Sequence, residues 1–225
     1  MKRSEINNSI TKALNRLEEY KIKLPMFAYW KPEDFVANKD KIGRIVDRMF
    51  GWDVTDFGSG EFLKCGAVLF TVRNGDKNDA LNIAPYAEKY IILEDETEQQ
   101  IPFHYHMSKA EDIINRGGGI LVVELYNKGK DGKLDLENDV VVYMDGIKHV
   151  YKPGEKIEVT PGNSITLEPY CYHRFYAKKG AGYLIVGEVS RVNDDKTDNV
   201  FLVESERFCG IEEDEPKKYT LANEY

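Results

Sequence analysis

The sequence has few cysteines and no CxxC pair. Its three cysteines, Cys65, Cys171 and Cys209, are far apart in a chain of 225 residues. This pattern provides no disulfide framework and is typical of a reducing compartment, where thiols stay free. We therefore expect an intracellular, cytoplasmic protein.

Long apolar runs and basic stretches are also missing. The longest apolar runs, such as 119–123 and 67–70, are far shorter than the roughly 20 residues of a membrane helix, and the N-terminal residues do not continue into the apolar region of a secretory signal. The formal net charge is −8, from 31 Lys and Arg against 39 Asp and Glu. Because no basic face can neutralise phosphates, we expect neither a nucleic-acid partner nor a membrane partner.

The helical period is confined to the first fifty residues. Apolar residues recur at helical spacing from Ile6 to Leu17 and predict an amphipathic helix, with Ser4 placed to cap its first turn. A second helix is predicted to begin at Pro32 and to stop at Gly51. We expect these helices to pack on the outside of the remaining structure.

From about residue 61 onward, short apolar runs alternate with tight-turn dipeptides such as Asn74-Gly75, Asp145-Gly146 and Pro161-Gly162. Many short strands with tight turns predict an all-β sandwich or barrel. A parallel α/β sheet would need a crossover of a dozen or so residues between strands, and after residue 120 there is no room for one. The apolar runs lie at 63–72, 89–93, 101–106, 120–126, 140–144, 156–159, 165–176 and 183–189.

These patterns predict a single domain over 1–225. It would consist of a helical N-terminal extension over 1–60, a β-barrel over 61–192 and a polar, acidic C-terminal extension over 193–225.

The residues that carry chemistry are concentrated around two histidines in one predicted strand. His104 and His106 are two residues apart, a spacing that sends both side chains to the same face of a strand. His173 lies on the parity that should point inward in its own run, and Glu111 follows His106 closely enough to supply an oxygen. Three neutral imidazoles and one carboxylate suit a divalent transition metal with open positions, and Mn, Fe, Zn, Co and Ni are all chemically admissible.

Some of these residues also have a structural interpretation. Ser108 and Glu111 form a capping-box pattern, in which the glutamate would bond the Ser108 backbone at the start of a short helix over 111–116. We favour the ligand role for Glu111 and keep Asp112 as the fallback ligand. We interpret the remaining histidine, His149, as structural.

The motif that begins with His104-x-His106-x4-Glu111, followed by Pro161-Gly162 and His173, resembles the two motifs of the cupin superfamily. The sequence is similar, more closely, to the D-lyxose ketol-isomerase family of cupins. The segments that carry this similarity are 111–119, Gly187-Glu188-Val189-Ser190, Asn193-Asp194-Asp195, Arg207-Phe208 and 211–215. The resemblance implies a single cupin barrel, of the double-stranded β-helix or jelly-roll type, with an N-terminal helical extension.

The same resemblance implies a function and a metal site. The family interconverts D-lyxose and D-xylulose, with D-mannose and D-fructose as a side activity, and holds a Mn²⁺-type ion through His, His, Glu and His. Carried over to this sequence, the ligands are His104, His106, Glu111 and His173. Co²⁺, Fe²⁺, Zn²⁺ and Ni²⁺ are the other candidate ions.

An aldose–ketose isomerisation moves a proton from C2 of the open-chain sugar to C1 through a cis-enediol, and it needs a positioned base and acid. Glu188 is the first choice for the base, because it lies in an apolar strand where burial would raise its pKa. Lys89 could polarise a substrate oxygen, and Lys109, which lies close to the metal motif, is a further candidate. Glu204 is a weaker candidate for the base.

Three other functions remain open. An Fe-dependent cupin dioxygenase would use similar ligands in a drier pocket, whereas Glu188, Glu124, Lys89 and Tyr105 favour a sugar. A phosphosugar isomerase would need a cationic cluster, for which Lys109, Arg116 and Arg174 are the candidates. The third is a non-catalytic metal- or sugar-binding cupin.

We expect a homodimer, because cupin barrels commonly pair and the aromatic content of 12% exceeds what one small barrel must bury.

Overall fold

The first helix begins almost at the N-terminus and packs on the outside of a β-structure. In the computed structural model, which describes residues 1–79, 81, 83–195, 197–206 and 208–225, three α-helices and one 3₁₀ helix precede the strands. They are α1 (Arg3–Glu19), the 3₁₀ helix (Met26–Tyr29), α2 (Pro32–Ala37) and α3 (Gly43–Asp47). Arg207, in one of the segments compared above, lies outside the described residues.

Thirteen strands follow in the described part of the chain. They are β1 (Gly51–Thr55), β2 (Ala67–Arg73), β3 (Tyr86–Leu93), β4 (Gln100–His106), β5 (Glu111–Gly118), β6 (Leu121–Asn127), β7 (Val140–Met144), β8 (Ile147–Tyr151), β9 (Lys156–Val159), β10 (Ser164–Leu167), β11 (Cys171–Ala177), β12 (Leu184–Arg191) and β13 (Asn199–Phe201).

The strands form two antiparallel sheets that face each other. One sheet has the order β1-β2-β3-β12-β5-β10-β7-β8, and the other has the order β13-β4-β11-β6-β9. Side chains that alternate along each strand fill the space between the sheets, among them Leu69, Ile113, Val123 and Phe175. The prediction of an all-β cupin barrel with an N-terminal helical extension is therefore confirmed.

A second core joins α1 to the outer face of the larger sheet. Ile6, Ile10 and Leu17 are buried against a surface that includes Trp52 and Phe70. The amphipathic period of the sequence thus marks a helix that covers the barrel from outside, as expected.

The start of α1 differs from the prediction, because Ser4 does not act as the N-cap. The helix begins at Arg3, with Lys2 in the capping position and no side-chain cap bond. Ser4 instead donates two hydrogen bonds to Asp214, from its backbone N at 2.9 Å and from its hydroxyl at 2.6 Å. A carboxylate of the C-terminal segment therefore satisfies a free N–H group of the first turn.

The predicted second helix is divided in two. It begins at Pro32 as expected but ends at Ala37, and α3 occupies only Gly43–Asp47. The side chain of Asn38 bonds the Asp34 backbone oxygen at 2.8 Å, which competes with continued helix formation. The predicted helical extension over 1–60 also contains a strand near its end, β1, which pairs with β2.

Several strand predictions need correction. The apolar run 165–176 is not continuous: it forms β10 in the larger sheet and β11 in the smaller one, because the chain turns at Pro169 and Tyr170, where Tyr170 has φ +64°. Strands β1, β5, β8 and β13 were not among the predicted runs. The predicted turn at Asp145-Gly146 is confirmed, since both residues have positive φ, as a type I′ hairpin requires.

Among the described helices, none has the length and apolar character needed to cross a membrane.

Candidate active site

Three imidazoles meet between the two sheets. His104 and His106 alternate along β4 on the same face, and the antiparallel register of β4 and β11 places His173 directly opposite His104. All three side chains are buried. One ligand atom from each histidine can be chosen so that all three lie within 4.8 Å of one another.

The hydrogen bonds of two of these histidines define their tautomers. Nδ1 of His104 is 2.9 Å from the Pro102 carbonyl oxygen, and Nδ1 of His173 is 3.0 Å from the Cys171 carbonyl oxygen. Because a carbonyl oxygen can only accept, each Nδ1 carries the hydrogen and each Nε2 presents a lone pair. The two Nε2 atoms are only 3.1 Å apart.

This proximity of two lone pairs is unfavourable unless a cation shares them. His106 strengthens the same conclusion, because neither of its buried ring nitrogens has a hydrogen-bond partner in the described part of the chain. Burial, followed by the neighbouring imidazoles, lowers the pKa of His104 well below its usual value. Burial and the Lys109 ammonium lower the pKa of His106. His104 and His106 are therefore neutral at physiological pH, and the donor set of the cluster fits a divalent transition metal.

Glu111 lies beside the imidazoles at the start of β5. Its carboxylate oxygens are 3.4 Å from His106 Nε2 and 3.2 Å from His173 Nε2. The helix that the capping-box interpretation required is absent, because residues from Glu111 to Gly118 form a strand. The fallback ligand Asp112 points away: its side chain accepts a 2.6 Å hydrogen bond from Thr166.

A chain of buried charges extends from Glu111 on β5 to β12 and β3, the neighbouring strands of the larger sheet. The ammonium of Lys109 lies 2.7 Å from Glu111 and 2.9 Å from Glu188. Lys89, which is the register partner of Glu188 on β3, places its ammonium 3.8 Å from Glu188 and 3.8 Å from Asp195. Buried charges are stable only when paired, and here positive and negative groups alternate.

Burial and ion pairing shift the pKa values of these groups in opposite directions. Burial alone would raise the pKa of Glu188, as the sequence suggested, but the ammonium groups of Lys109 and Lys89 outweigh it and lower the pKa below its usual value. Burial raises the pKa of Glu111 too, and Lys109 and His106 reverse that effect and hold it well below its usual value. The pKa of Lys109 is raised by the two carboxylates against the effect of burial. The expectation of a raised pKa for Glu188 was therefore wrong, and the residue is an ionised carboxylate.

These groups line one cavity, which contains about 450 Å³ of space not filled by atoms, part of it open to solvent. Apolar side chains such as Ile91, Ile101 and Phe175 form part of the wall, and the polar groups described above form much of the rest. This combination of an apolar wall with a few oriented polar groups is typical of a small-molecule site.

The sequence prediction missed the residues that close this cavity. Phe57 precedes the predicted barrel, and Asp195, Asn199 and Phe201 belong to the segment predicted to be an extension. Strand β13 brings that segment to the edge of β4, where Phe201 lies opposite His104. In the sequence, only the family resemblance of Asn193-Asp194-Asp195 pointed to this region, and it did not indicate that the segment would reach the cavity.

Other candidate residues lie elsewhere. Glu204 is exposed and does not line the cavity. Glu124 is bonded by Arg174 and Tyr176 instead, and Tyr105 packs against the Tyr172 ring at a centroid distance of 4.8 Å. Neither Glu124 nor Tyr105 contributes to the cavity, so they do not support a sugar site.

His149 is on β8 and stacks with Tyr151 at a centroid distance of 5.9 Å. It is not part of the imidazole cluster.

Comparison with known proteins gives a consistent result. A family model described as D-lyxose isomerase matches residues 1–225. The chain is 40% identical over 230 residues to a D-lyxose/D-mannose isomerase of Escherichia coli O157:H7, covering 100% of this chain and 98% of that protein. It is also 40% identical over 227 residues to a D-lyxose/D-mannose isomerase of Serratia proteamaculans, with the same coverage.

Solved structures show a related fold at low sequence identity. The L-ribose isomerase of Cellulomonas parahominis, solved with L-psicose, has a TM-score of 0.60 at 15% identity, covering 91% of this chain and 94% of that chain. The L-ribose isomerase of Geodermatophilus obscurus has a TM-score of 0.59 at 16% identity, with 91% and 94% covered.

Proposed function

The chain belongs to the D-lyxose isomerase family and is a sugar isomerase, and from that premise we propose that it interconverts D-lyxose and D-xylulose. We propose D-mannose and D-fructose as a second substrate pair, because both relatives at 40% identity are named for D-lyxose and D-mannose. The single observation that carries the proposal is that His104 and His106 of the imidazole cluster line the same cavity as the Lys109–Glu188 pair.

We propose further that a divalent metal, Mn²⁺ in the first instance, is held by His104, His106, Glu111 and His173. The lone pairs of His104 and His173 and the unsatisfied ring of His106 support this ligand set. Such an ion would supply the positive charge that stabilises the negative charge developing on the sugar oxygens during isomerisation. Metal analysis of the His106→Ala and His173→Ala proteins tests the site, since each should lose most of its metal. Unchanged metal content in both variants would refute it.

The proposed chemistry of the chain's own groups starts from Glu188. As a buried, ionised carboxylate, it can accept the proton from C2 of the open-chain sugar, which leaves a cis-enediolate, and return that proton to C1 while the hydroxyl proton passes from O2 to O1. Lys109 holds Glu188 in place through their 2.9 Å contact and remains protonated between two carboxylates. Lys89 lies on the other side of Glu188 and can orient the carboxylate or a substrate hydroxyl.

The charges of the cavity favour a free sugar over a phosphosugar. Lys89 and Lys109 are the two cationic side chains that line it, and each is already paired with carboxylates. Arg174 is bonded to Glu124, and Arg116 is exposed on β5. A phosphate group would therefore find no uncommitted cationic cluster among the residues that line the cavity.

A cytoplasmic location fits this proposal, because Cys65, Cys171 and Cys209 are free thiols.

The direct test is an assay of the purified chain with Mn²⁺ and a panel of free aldoses, read as ketose formed. We expect D-lyxose to be converted fastest and the activity to disappear after chelation and return with added metal. Conversion of a phosphorylated aldose but not of the free sugars would contradict the proposal.

A further inference from the structure

The three histidines of the cluster are not supported in the same way. His104 and His173 each direct Nδ1 to a carbonyl oxygen two residues earlier in their own strand, at 2.9 and 3.0 Å. His106 has no such bond from either ring nitrogen to any described residue, although it is buried. A metal on Nε2 would leave its Nδ1–H group still in need of an acceptor.

One carboxylate lies next to that nitrogen. Asp198 Oδ2 is 3.8 Å from His106 Nδ1, and both side chains are buried. The carboxylate is held firmly: Oδ1 accepts hydrogen bonds from Ser108, from the backbone N at 2.8 Å and from the hydroxyl at 2.7 Å. Its Oδ2 accepts a bond from the Lys109 backbone N at 3.1 Å. Asp198 therefore connects the C-terminal segment to the turn between β4 and β5.

We propose that Asp198 is a positioning residue of the metal site. A shift of the His106 ring on metal binding that closes the 3.8 Å gap to Oδ2 would let Asp198 accept the Nδ1–H, fix that tautomer and thereby present the Nε2 lone pair to the metal. Through the Lys109 backbone, the same carboxylate also fixes the lysine that separates Glu111 from Glu188. This inference rests on the metal site proposed above and extends it to a residue 92 positions beyond His106 in the chain.

The test compares the metal affinity of the full-length Asp198→Asn protein with that of the natural chain, by competition between Mn²⁺ and a chelator. Asparagine keeps the volume and an acceptor for Ser108 but removes the charged oxygen that faces His106. Loss of an outer-shell partner of a ligand histidine typically weakens metal binding about 10- to 100-fold. We expect a loss in that range, measured on protein without substrate.

Ser108→Ala is the matched control. It removes one of the hydrogen bonds to the same carboxylate on Oδ1 and leaves Oδ2 beside His106. We expect it to retain nearly all of the metal affinity. An equal loss of affinity in both variants would mean that Asp198 only stabilises the turn, and an unchanged affinity in Asp198→Asn would overturn the proposal directly.

A measurement on the unmodified chain keeps the proposal testable if Asp198→Asn does not fold. Nitrogen NMR of the Zn²⁺-loaded protein with labelled histidine should show His106 bound to the metal through Nε2 and protonated at Nδ1. Metal binding through Nδ1 of His106 would refute the role of Asp198 while leaving the metal site intact. A natural chain that binds neither Mn²⁺ nor Zn²⁺ would refute the metal site itself.

Discussion

Lys109 shows how single residues control the chemistry of this cavity. Its ammonium lies between two buried carboxylates, Glu111 and Glu188. Without that positive charge, two like charges would share a low-dielectric space, and one of them would have to take up a proton. With it, both carboxylates stay ionised, as the proposed roles of Glu111 as a metal ligand and of Glu188 as a proton acceptor require.

Replacing Glu188 by Gln should slow proton transfer strongly and spare binding. Glutamine keeps the volume and can still accept a bond from Lys109, whereas its amide cannot accept the C2 proton. Because general bases typically contribute ~10²–10⁴-fold to the rate, we expect kcat to fall by that factor with metal content unchanged. Deuterium incorporation at C2 from heavy water should fall in parallel.

Glu204→Gln is the control for this prediction, since Glu204 is exposed and does not line the cavity. It should leave kcat and deuterium exchange unchanged. A near-normal rate in Glu188→Gln together with a large loss in Glu204→Gln would reverse our assignment of the base.

Lys89→Gln should change the pH dependence of the reaction. The Lys89 ammonium is one of the groups that lower the pKa of Glu188. Removing that positive charge should raise the pKa, so Glu188 would become protonated at a higher pH. We therefore expect the acidic limb of kcat/KM to move to higher pH. Lys152 is exposed, so the Lys152→Gln variant should have the same acidic limb of the kcat/KM profile as the natural chain. If the acidic limb of Lys89→Gln lies at the same pH as that of the natural chain, Lys89 does not act on the base.

At the scale of elements, the C-terminal segment contributes more than its polar sequence indicates. Strand β13 extends the smaller sheet at β4. Further on, Glu213 and Glu224 both bind the guanidinium of Arg3, which is fully buried at the start of α1. The segment therefore ties the helix to the barrel and closes the cavity.

This attachment should weaken in acid. Burial raises the pKa of Glu224, but the bonds to Arg3 and to the Leu221 backbone outweigh it and lower the pKa below its usual value of 4.5. A group with a lowered pKa stabilises the folded state above its usual pKa, and the contribution is lost as the pH falls through the lowered value. We expect the free energy of unfolding, measured in urea, to decrease as the pH is lowered from about 5 to about 3.

Glu224→Gln should show a smaller decrease over the same pH interval. Glu18→Gln serves as the comparison, because Glu18 forms an ion pair with Lys23 in which both side chains are exposed, and such pairs contribute little. Equal pH dependence in the natural chain and in Glu224→Gln would show that the buried Arg3 cluster does not stabilise the fold in this way.

At the scale of the whole molecule, we propose that the chain forms a homodimer. Five tyrosines remain substantially exposed in the single chain, namely Tyr20, Tyr29, Tyr86, Tyr143 and Tyr170. Tyrosine is enriched at protein interfaces, where it combines a large apolar area with a polar end. Light scattering at micromolar concentration should give about twice the chain mass of 25.8 kDa. A mass equal to that of one chain would count against the dimer.

The sequence by itself determined the local features of this protein. Strand alternation is enough to place His104 and His106 on one face, and helical spacing is enough to identify the buried side of α1. The family resemblance added the fold and the isomerase activity, both of which the comparisons support.

Only the tertiary structure decided which distant groups meet. Sheet register places His173 opposite His104, 69 residues away, and β13 carries Asp198 to Ser108, 90 residues away. The direction of the Glu188 pKa shift was mispredicted for the same reason, since the pKa depends on Lys109, 79 residues earlier in the chain. Periodicity records the face on which a residue lies, whereas the electrostatic environment of a buried group is set by partners that only chain packing brings within a few ångströms.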